Sequence, residues 1–277
     1  MKKAIIALSA AMVLTACSSE SEEQSVFNGS AVEKTEVTMT FSPYQMEAMT
    51  RAAVSIADVV TKLDVWIYEN GSEVTAVHQT TADASFGSIT VTLDKTKTYT
   101  LYAVGHKADG ATLADGVISF TDDKVTHSMF YSTTFSPATT TSLSCLMNRI
   151  VADFRLEITD EIPTSAVKFR FTVPGVYDRW SVTTGATHGI DRVSTINYGG
   201  TSAIFNVYAI TTDAQTTNDI TVTALDENDQ EVQTRTFVDV PLRNGYKTNY
   251  RGTFFIDTPM SMSFAVNDWN EYDVVDF

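Results

Sequence analysis

Basic residues are scarce in this chain of 277 residues: 19 Lys plus Arg stand against 34 Asp plus Glu, a formal net charge of -15. Binding nucleic acid takes Lys and Arg clustered on one face to neutralise phosphates, so nucleic acid is not an expected partner. Charged residues of either sign reach only 19%, where about 25% is usual, while 43% are hydrophobic and 10% aromatic. That apolar share can build a core and excludes wholesale disorder. Thirteen Gly and six Pro are too few for a collagen-like or Pro/Gly low-complexity chain. Two cysteines, Cys17 and Cys145, cannot make a thiolate metal centre. The apolar and small run over residues 4–14 is too short for a durable membrane helix, which needs about 20 residues.

Catalytic signatures are missing as well. There is no G-x-S-x-G elbow, no Walker loop and no G-x-G-x-x-G after a strand. His78, His106, His127 and His188 lie far apart, and none stands at i, i+4 in a metal-ligand motif. Carboxylates are plentiful, but a glycosidase pair needs one acid in an apolar cleft, and nothing in the sequence marks one. No enzyme activity, metal or cofactor is expected.

What is present begins with an address. Lys2 and Lys3 precede the short apolar run and then Leu14-Thr15-Ala16-Cys17, the order of a secretory signal. Leu-Thr-Ala-Cys resembles the lipobox of bacterial lipoproteins; the alternative is an ordinary signal peptide with an incidental Cys. The resemblance implies a signal peptide over 1–16, lipid on Cys17 and attachment to the outer membrane. Losing Lys2 and Lys3 would take the net charge from -15 to -17. Residues 17–36 read as a solvated tether opened by the acidic run Ser18-Ser19-Glu20-Ser21-Glu22-Glu23. That run is similar to the surface-export signal of Bacteroidetes lipoproteins, the bland reading being a spacer. With Cys17 lipidated, Cys145 has no disulfide partner and suits a buried small hydrophobe better than a nucleophile.

The rest is dominated by period-two alternation, the mark of half-buried strands. Val37, Met39 and Phe41 alternate with Thr38 and Thr40; Ile89, Val91 and Leu93 with Thr90 and Thr92; Val167, Phe169, Phe171 and Val173 with Lys168, Arg170 and Thr172. Turn signals fall at Asn70-Gly71, Asp109-Gly110, Asp115-Gly116, Pro174-Gly175, Gly199-Gly200 and Asn244-Gly245. Residues 220–225 and 232–240 read as a hairpin around Asp226-Glu227-Asn228-Asp229-Gln230, a solvated turn lacking the Gly and distal Glu of a calcium loop. The class is all-β: two tandem antiparallel β-sandwich domains, 37–145 and 146–277, with the Thr/Ser-rich stretch 132–144 at the break. Ser42-Pro43-Tyr44-Gln45 resembles a capping box, so residues 44–60 carry either a short helix or an extended connection. Trp66 with Tyr68, Tyr102, Tyr177 with Trp180, and Trp269 with Tyr272 suit core packing better than a sugar platform.

Met49-Thr50-Arg51-Ala52-Ala53, then Leu63-Asp64-Val65-Trp66-Ile67-Tyr68, Leu146-Met147-Asn148-Arg149-Ile150-Val151, Asn244-Gly245-Tyr246-Lys247-Thr248-Asn249-Tyr250 and Asn267-Asp268-Trp269-Asn270 follow in an order that resembles the fimbrillin superfamily of Bacteroidetes. The resemblance covers nearly the whole chain after the signal. It implies transthyretin-like, Greek-key sandwiches and a structural subunit of a surface fimbria that supports adhesion. It also implies that an arginine-specific protease cuts between Arg51 and Ala52 and releases the strand of Val37, Met39 and Phe41. A C-terminal strand of another fimbrial subunit then fills the vacated groove, by donor-strand exchange in a homo- or heteropolymer. The final tract of Tyr272, Val274 and Phe277 is the expected donor, while Met260, Met262, Phe264 and Val266 read as an internal strand. Some members of the family, anchors among them, keep the N-terminus and its lipid, so the resemblance equally implies an anchor or tip subunit of the same fimbria. The alternative from another class is a surface-exposed glycan-binding lipoprotein.

Overall fold

Alternation converts almost entirely into strand: 63% of the structure is strand and 3% helix, so the chain is all-β as expected. The computed structural model describes residues 32–44, 54–256 and 262–268, the last for its backbone alone. In chain order the strands are β1 Lys34–Pro43, β2 Lys62–Glu69, β3 Ser72–Thr80, β4 Ser88–Asp94, β5 Tyr99–His106, β6 Ala111–Ala114, β7 Val117–Phe120, β8 Met129–Phe135, β9 Ser142–Arg149, β10 Val151–Ile158, β11 Lys168–Ser181, β12 Gly185–Asn197, β13 Ile204–Ile210, β14 Thr216–Leu225, β15 Glu231–Leu242, β16 Tyr246–Gly252 and β17 Met262–Asp268. One four-residue helix, α1 Ile56–Val59, stands between β1 and β2.

Seven strands form one sheet in the order β3-β2-β5-β8-β9-β1-β4. β8 and β9 meet at only two pairs, Met129↔Arg149 and Phe130↔Asn148. The sheet folds over at that weak join, so β4, β1 and β9 cover β2, β5 and β8. Val37, Met39 and Phe41 of β1 share the resulting core with Leu63, Val65 and Ile67 of β2 and Leu101 of β5. The β2–β3 turn is two residues, Asn70 (φ 50) and Gly71 (φ 81), both in the left-handed region that a tight hairpin demands.

The other sheet has ten strands, β15-β14-β11-β13-β10-β16-β17, with β12 and β7 branching from β11 and β6 paired to β7. Phenylalanine fills its core: Phe154 meets Phe171 and Phe237 edge-on at 6.3 and 5.7 Å, and Phe169 lies 4.3 Å from Phe205. The hairpin expected over 220–240 is β14–β15; its turn is closed by Asp226, whose Oδ1 accepts from the amides of Asn228 and Gln230 at 2.8 Å.

Four local expectations change. Two ladders are parallel, β1 on β9 and β10 on β16, because the intervening strands supply the long crossovers that parallel neighbours require. The boundary set between Cys145 and Leu146 falls inside β9, and the ten-stranded sheet takes up the chain at Val151. Pro174-Gly175 is no turn but a register shift within β11, where the missing proline amide costs no ladder bond. Ser42 caps no helix, since Pro43 pushes it extended and it stays in β1; the capping box is instead Ser55-x-x-Asp58 at the start of α1.

A third apolar cluster joins the sheets. Trp66 and Val104 on the outer face of β2 and β5, Ile118 and Phe120 of β7, Ile150, Val151 and Ile210 are all buried together. The β6–β7 hairpin leaves the seven-stranded sheet altogether and pairs with the end of β11 at Trp180↔Ile118 and Ser181↔Val117. Arg192 of β12 ties down the following loop by donating to the carbonyls of Asp123 and Val125 at 3.3 and 3.0 Å. The described residues from Glu33 onward accordingly belong to one compact unit.

Carboxylates and imidazoles enter the same region mostly in bonded sets, although His106 Nδ1 and Trp180 Nε1 are buried without a hydrogen bond among the described residues. Asp64 on β2 receives His78 Nδ1 on one oxygen and His106 Nε2 on the other, both at 2.6 Å. His127 stacks on Tyr208, and burial, with Arg149 and Lys107 nearby, holds its imidazole down to about 3. Asp153 is 1% exposed; both its oxygens accept from Asn206 Nδ2 at 2.9 Å, and Lys247 Nζ lies 3.8 Å away. Burial outweighs these partners and pushes the Asp153 carboxyl up to about 6, and it pushes Lys247 down. An acid whose folded value is raised binds a proton on folding, so its stabilising share is complete below its ordinary value near 4. That share is lost as pH rises through about 6. Thermal melts of the parent and Asp153→Asn across pH 4–7 are expected to differ in slope, the parent losing stability through this window relative to the variant. Parallel curves would show that Asp153 does not titrate there.

Candidate functional site

β1 is held on both edges. On one side it runs antiparallel to β4, from Lys34↔Asp94 to Thr40↔Ser88, and on the other parallel to β9, from Thr38↔Ser142 to Pro43↔Met147. The expected strand of Val37, Met39 and Phe41 is thus longer than residues 37–41, and all three side chains are inside, at 0%, 0% and 3% exposure. Thr38 and Thr40 face outward, and Thr38 Oγ1 meets Thr90 Oγ1 at 3.0 Å. At its end, the Phe41 amide donates to the Gly87 carbonyl and the Tyr44 amide to the Met147 carbonyl, both at 2.8 Å.

Without β1, the facing amides and carbonyls of β4 and β9 would lose their partners, and the pockets of Val37, Met39 and Phe41 would be empty between Ile89 and Leu93 on one strand and Cys145 and Met147 on the other. Cys145 is the register partner of Phe41 and is fully buried. Burial pushes its thiol up to about 12, which keeps it protonated and inert, as expected of a small core hydrophobe.

Helix α1 closes one end of this slot with Ile56 and Val59, both in the β1 core. It sits against Gly87, where a Cβ would lie 2.6 Å from Ile56 Cγ2 on a backbone at φ +85. The remaining expected site residues, Cys17, Arg51, Ala52, Tyr272, Val274 and Phe277, lie outside the described residues. Of the two C-terminal tracts, the first becomes β17 from Met262 on and pairs antiparallel with β16 at the edge of the ten-stranded sheet, the internal role expected of it. Trp66, Tyr68, Tyr102, Tyr177 and Trp180 gather at the seam between the sheets. Among the described residues no group of three or more His, Cys, Asp or Glu has the disposition of a metal site.

Residues 30–275 match the family model of the fimbrillin-A associated anchor proteins Mfa1 and Mfa2. The chain belongs to this family. Its fold is shared by a candidate cell adhesion protein of Bacteroides uniformis, at a TM-score of 0.56 and 15% identity over 85% of this chain and 99% of that one. A candidate adhesin of Bacteroides ovatus gives 0.52 and 13% over 83% and 95%. A candidate polysaccharide-binding protein of Bacteroides thetaiotaomicron gives 0.51 and 11% over 84% and 96%. No curated protein matches the chain. Membership in the anchor family makes it a fimbria-associated, adhesion-related protein of the cell surface.

Gly71 and Gly87 both sit at φ above +80, but only Gly87 faces a wall. Gly71→Ala is therefore expected to cost about 1 kcal/mol, the backbone term alone. Gly87→Ala should cost about 2–3 kcal/mol, as Ile56 and the β1 slot shift to make room. Guanidinium unfolding midpoints of the two variants check the difference; equal losses would mean that α1 yields freely at Gly87.

Proposed function

We propose that the chain is a subunit of a surface fimbria in which β1 is a removable strand. Lipid on Cys17 would hold the precursor in the outer membrane. The support is the position of β1: it is the first strand among the described residues, and it occupies a two-sided slot in the core of the seven-stranded sheet. An alternating strand of another subunit would satisfy the same amides and pockets. In sequence order the lipid-bearing Cys17 and β1 both precede Arg51, and the slot's walls follow it. One cut between Arg51 and Ala52, by an arginine-specific protease, would thus release anchor and strand together, whereas an uncut chain would stay at the membrane with its slot filled. The cut form suits a polymerised subunit, with Tyr272, Val274 and Phe277 as the donor strand for a neighbour. The uncut form suits the anchor role after which the family is named.

Cys145 reports on the slot. In uncut protein it is expected to resist maleimide; after cleavage by an arginine-specific protease and loss of β1 its labelling should quicken by at least about tenfold, then slow again when a peptide of residues 269–277 is added. Arg51→Ala should block every step. N-terminal sequencing of the assembled form should begin at Ala52; acylated Cys17 in assembled protein would overturn the cleavage, and labelling indifferent to it would overturn the slot.

A further inference from the structure

Where β8 and β9 part beyond their two shared rungs, a cleft of about 510 Å³ opens toward the loop between β15 and β16. That size lies within the range of about 300–1,000 Å³ typical of small-ligand sites. Phe130, Trp180, Arg149, Arg243, Tyr246 and Asp213 stand among its walls. Convergence of two arginines is notable in a chain of net charge -15.

The arginine wall is built before any ligand arrives. Asn244 beneath it is buried, its Oδ1 accepting from the Thr211 amide and hydroxyl at 3.0 and 2.9 Å and its Nδ2 donating to the Thr211 carbonyl at 2.7 Å. The neighbouring Arg243 donates Nε to the Asp213 carbonyl at 2.8 Å, and its guanidinium lies 4.5 Å from the centre of the Tyr246 ring. The stacked plane leaves the two Nη groups of Arg243 without a bond among the described residues. Such a fixed fork matches a carboxylate, and a stacked arginine loses little side-chain freedom on binding one.

In the same cleft, Phe130 and Trp180 lie 5.8 Å apart and bring an apolar surface to it, while the Asp213 carboxylate can only accept hydrogen bonds when ionised. A ligand complementary to the three features carries an anionic group, a ring with an apolar face, and hydroxyl donors. We infer that the cleft binds an acidic saccharide, a pyranose bearing a carboxylate. Arg243 takes the carboxylate, Trp180 and Phe130 pack on the ring, and Asp213 accepts from hydroxyls. This goes beyond the subunit role and does not depend on cleavage at Arg51.

Titration calorimetry of the full chain with two acidic probes, sialyllactose and tetragalacturonate, against lactose and the methyl ester of the second, tests it. At least one acidic probe is expected to bind at least tenfold tighter than its neutral counterpart. Arg243→Gln, at an exposed side chain, should erase that preference with the unfolding midpoint unchanged. Ser132→Trp, at an exposed cleft position away from the charges, should block binding altogether. The inference is overturned if neither acidic probe binds, if the neutral counterparts bind equally well, or if both variants bind as the parent does.

Discussion

The seven-stranded sheet depends on one requirement, that the backbone polar groups of β4 and β9 facing each other across a strand-wide gap be paired while the pockets behind them are filled. β1 meets both demands at once, with rungs on each edge and Val37, Met39 and Phe41 beneath. The neighbouring details follow from its presence. Gly87 has no side chain because Ile56 of α1 closes over the slot, and Cys145 can be an unreactive thiol because Phe41 lies against it in register. Filling this slot is a condition of the fold, while the chain segment that fills it is a matter of connectivity.

The seam between the sheets follows a different logic. Its apolar members, Trp66, Val104, Ile118 and Ile210, gain from leaving water in the ordinary way. Its polar members do not gain in the same sense. Burial drives Asp153 and Lys247 each toward its neutral form in spite of the other, so desolvation exceeds their attraction. Asp64 spends both oxygens on imidazoles, and His188 likewise finds Asp178 at 2.7 Å. The apolar cluster supplies adhesion between the sheets, and these pairs, each made within one sheet, satisfy carboxylates that burial would otherwise leave without partners.

What could be read in the sequence was what is local. Val37, Met39 and Phe41 announce a strand with one buried face because side-chain direction alternates residue by residue, and Asn70-Gly71 announces a two-residue turn because few residues accept its dihedral angles. The same residues carry no local mark of lying between β4 and β9, which are brought there by pairings with strands far along the chain. His78, His106 and Asp64 look unrelated in sequence for the same reason, and become neighbours only because β2 lies between β3 and β5. Pro174-Gly175 misleads because its residues are those of a turn, and only the continuing partners on either side show it to be a bulge. The arginine-lined cleft is assembled from β8, β9, β11, the start of β16, Tyr44 after β1 and two loops, and no stretch of the chain contains more than a fragment of it.

Two sheets connected by a single peptide at Ile150 would swivel about it. The β6–β7 hairpin removes that freedom, because it is covalently part of the first half of the chain and hydrogen-bonded into the sheet of the second. A rotation of one half against the other would have to break the rungs at Trp180 and Ser181, strip Ile118 and Phe120 from the seam and pull Arg192 from its two carbonyls. The body therefore acts as a stiff lever and not as a jointed one, and a push or pull applied at one end arrives at the other with its direction preserved.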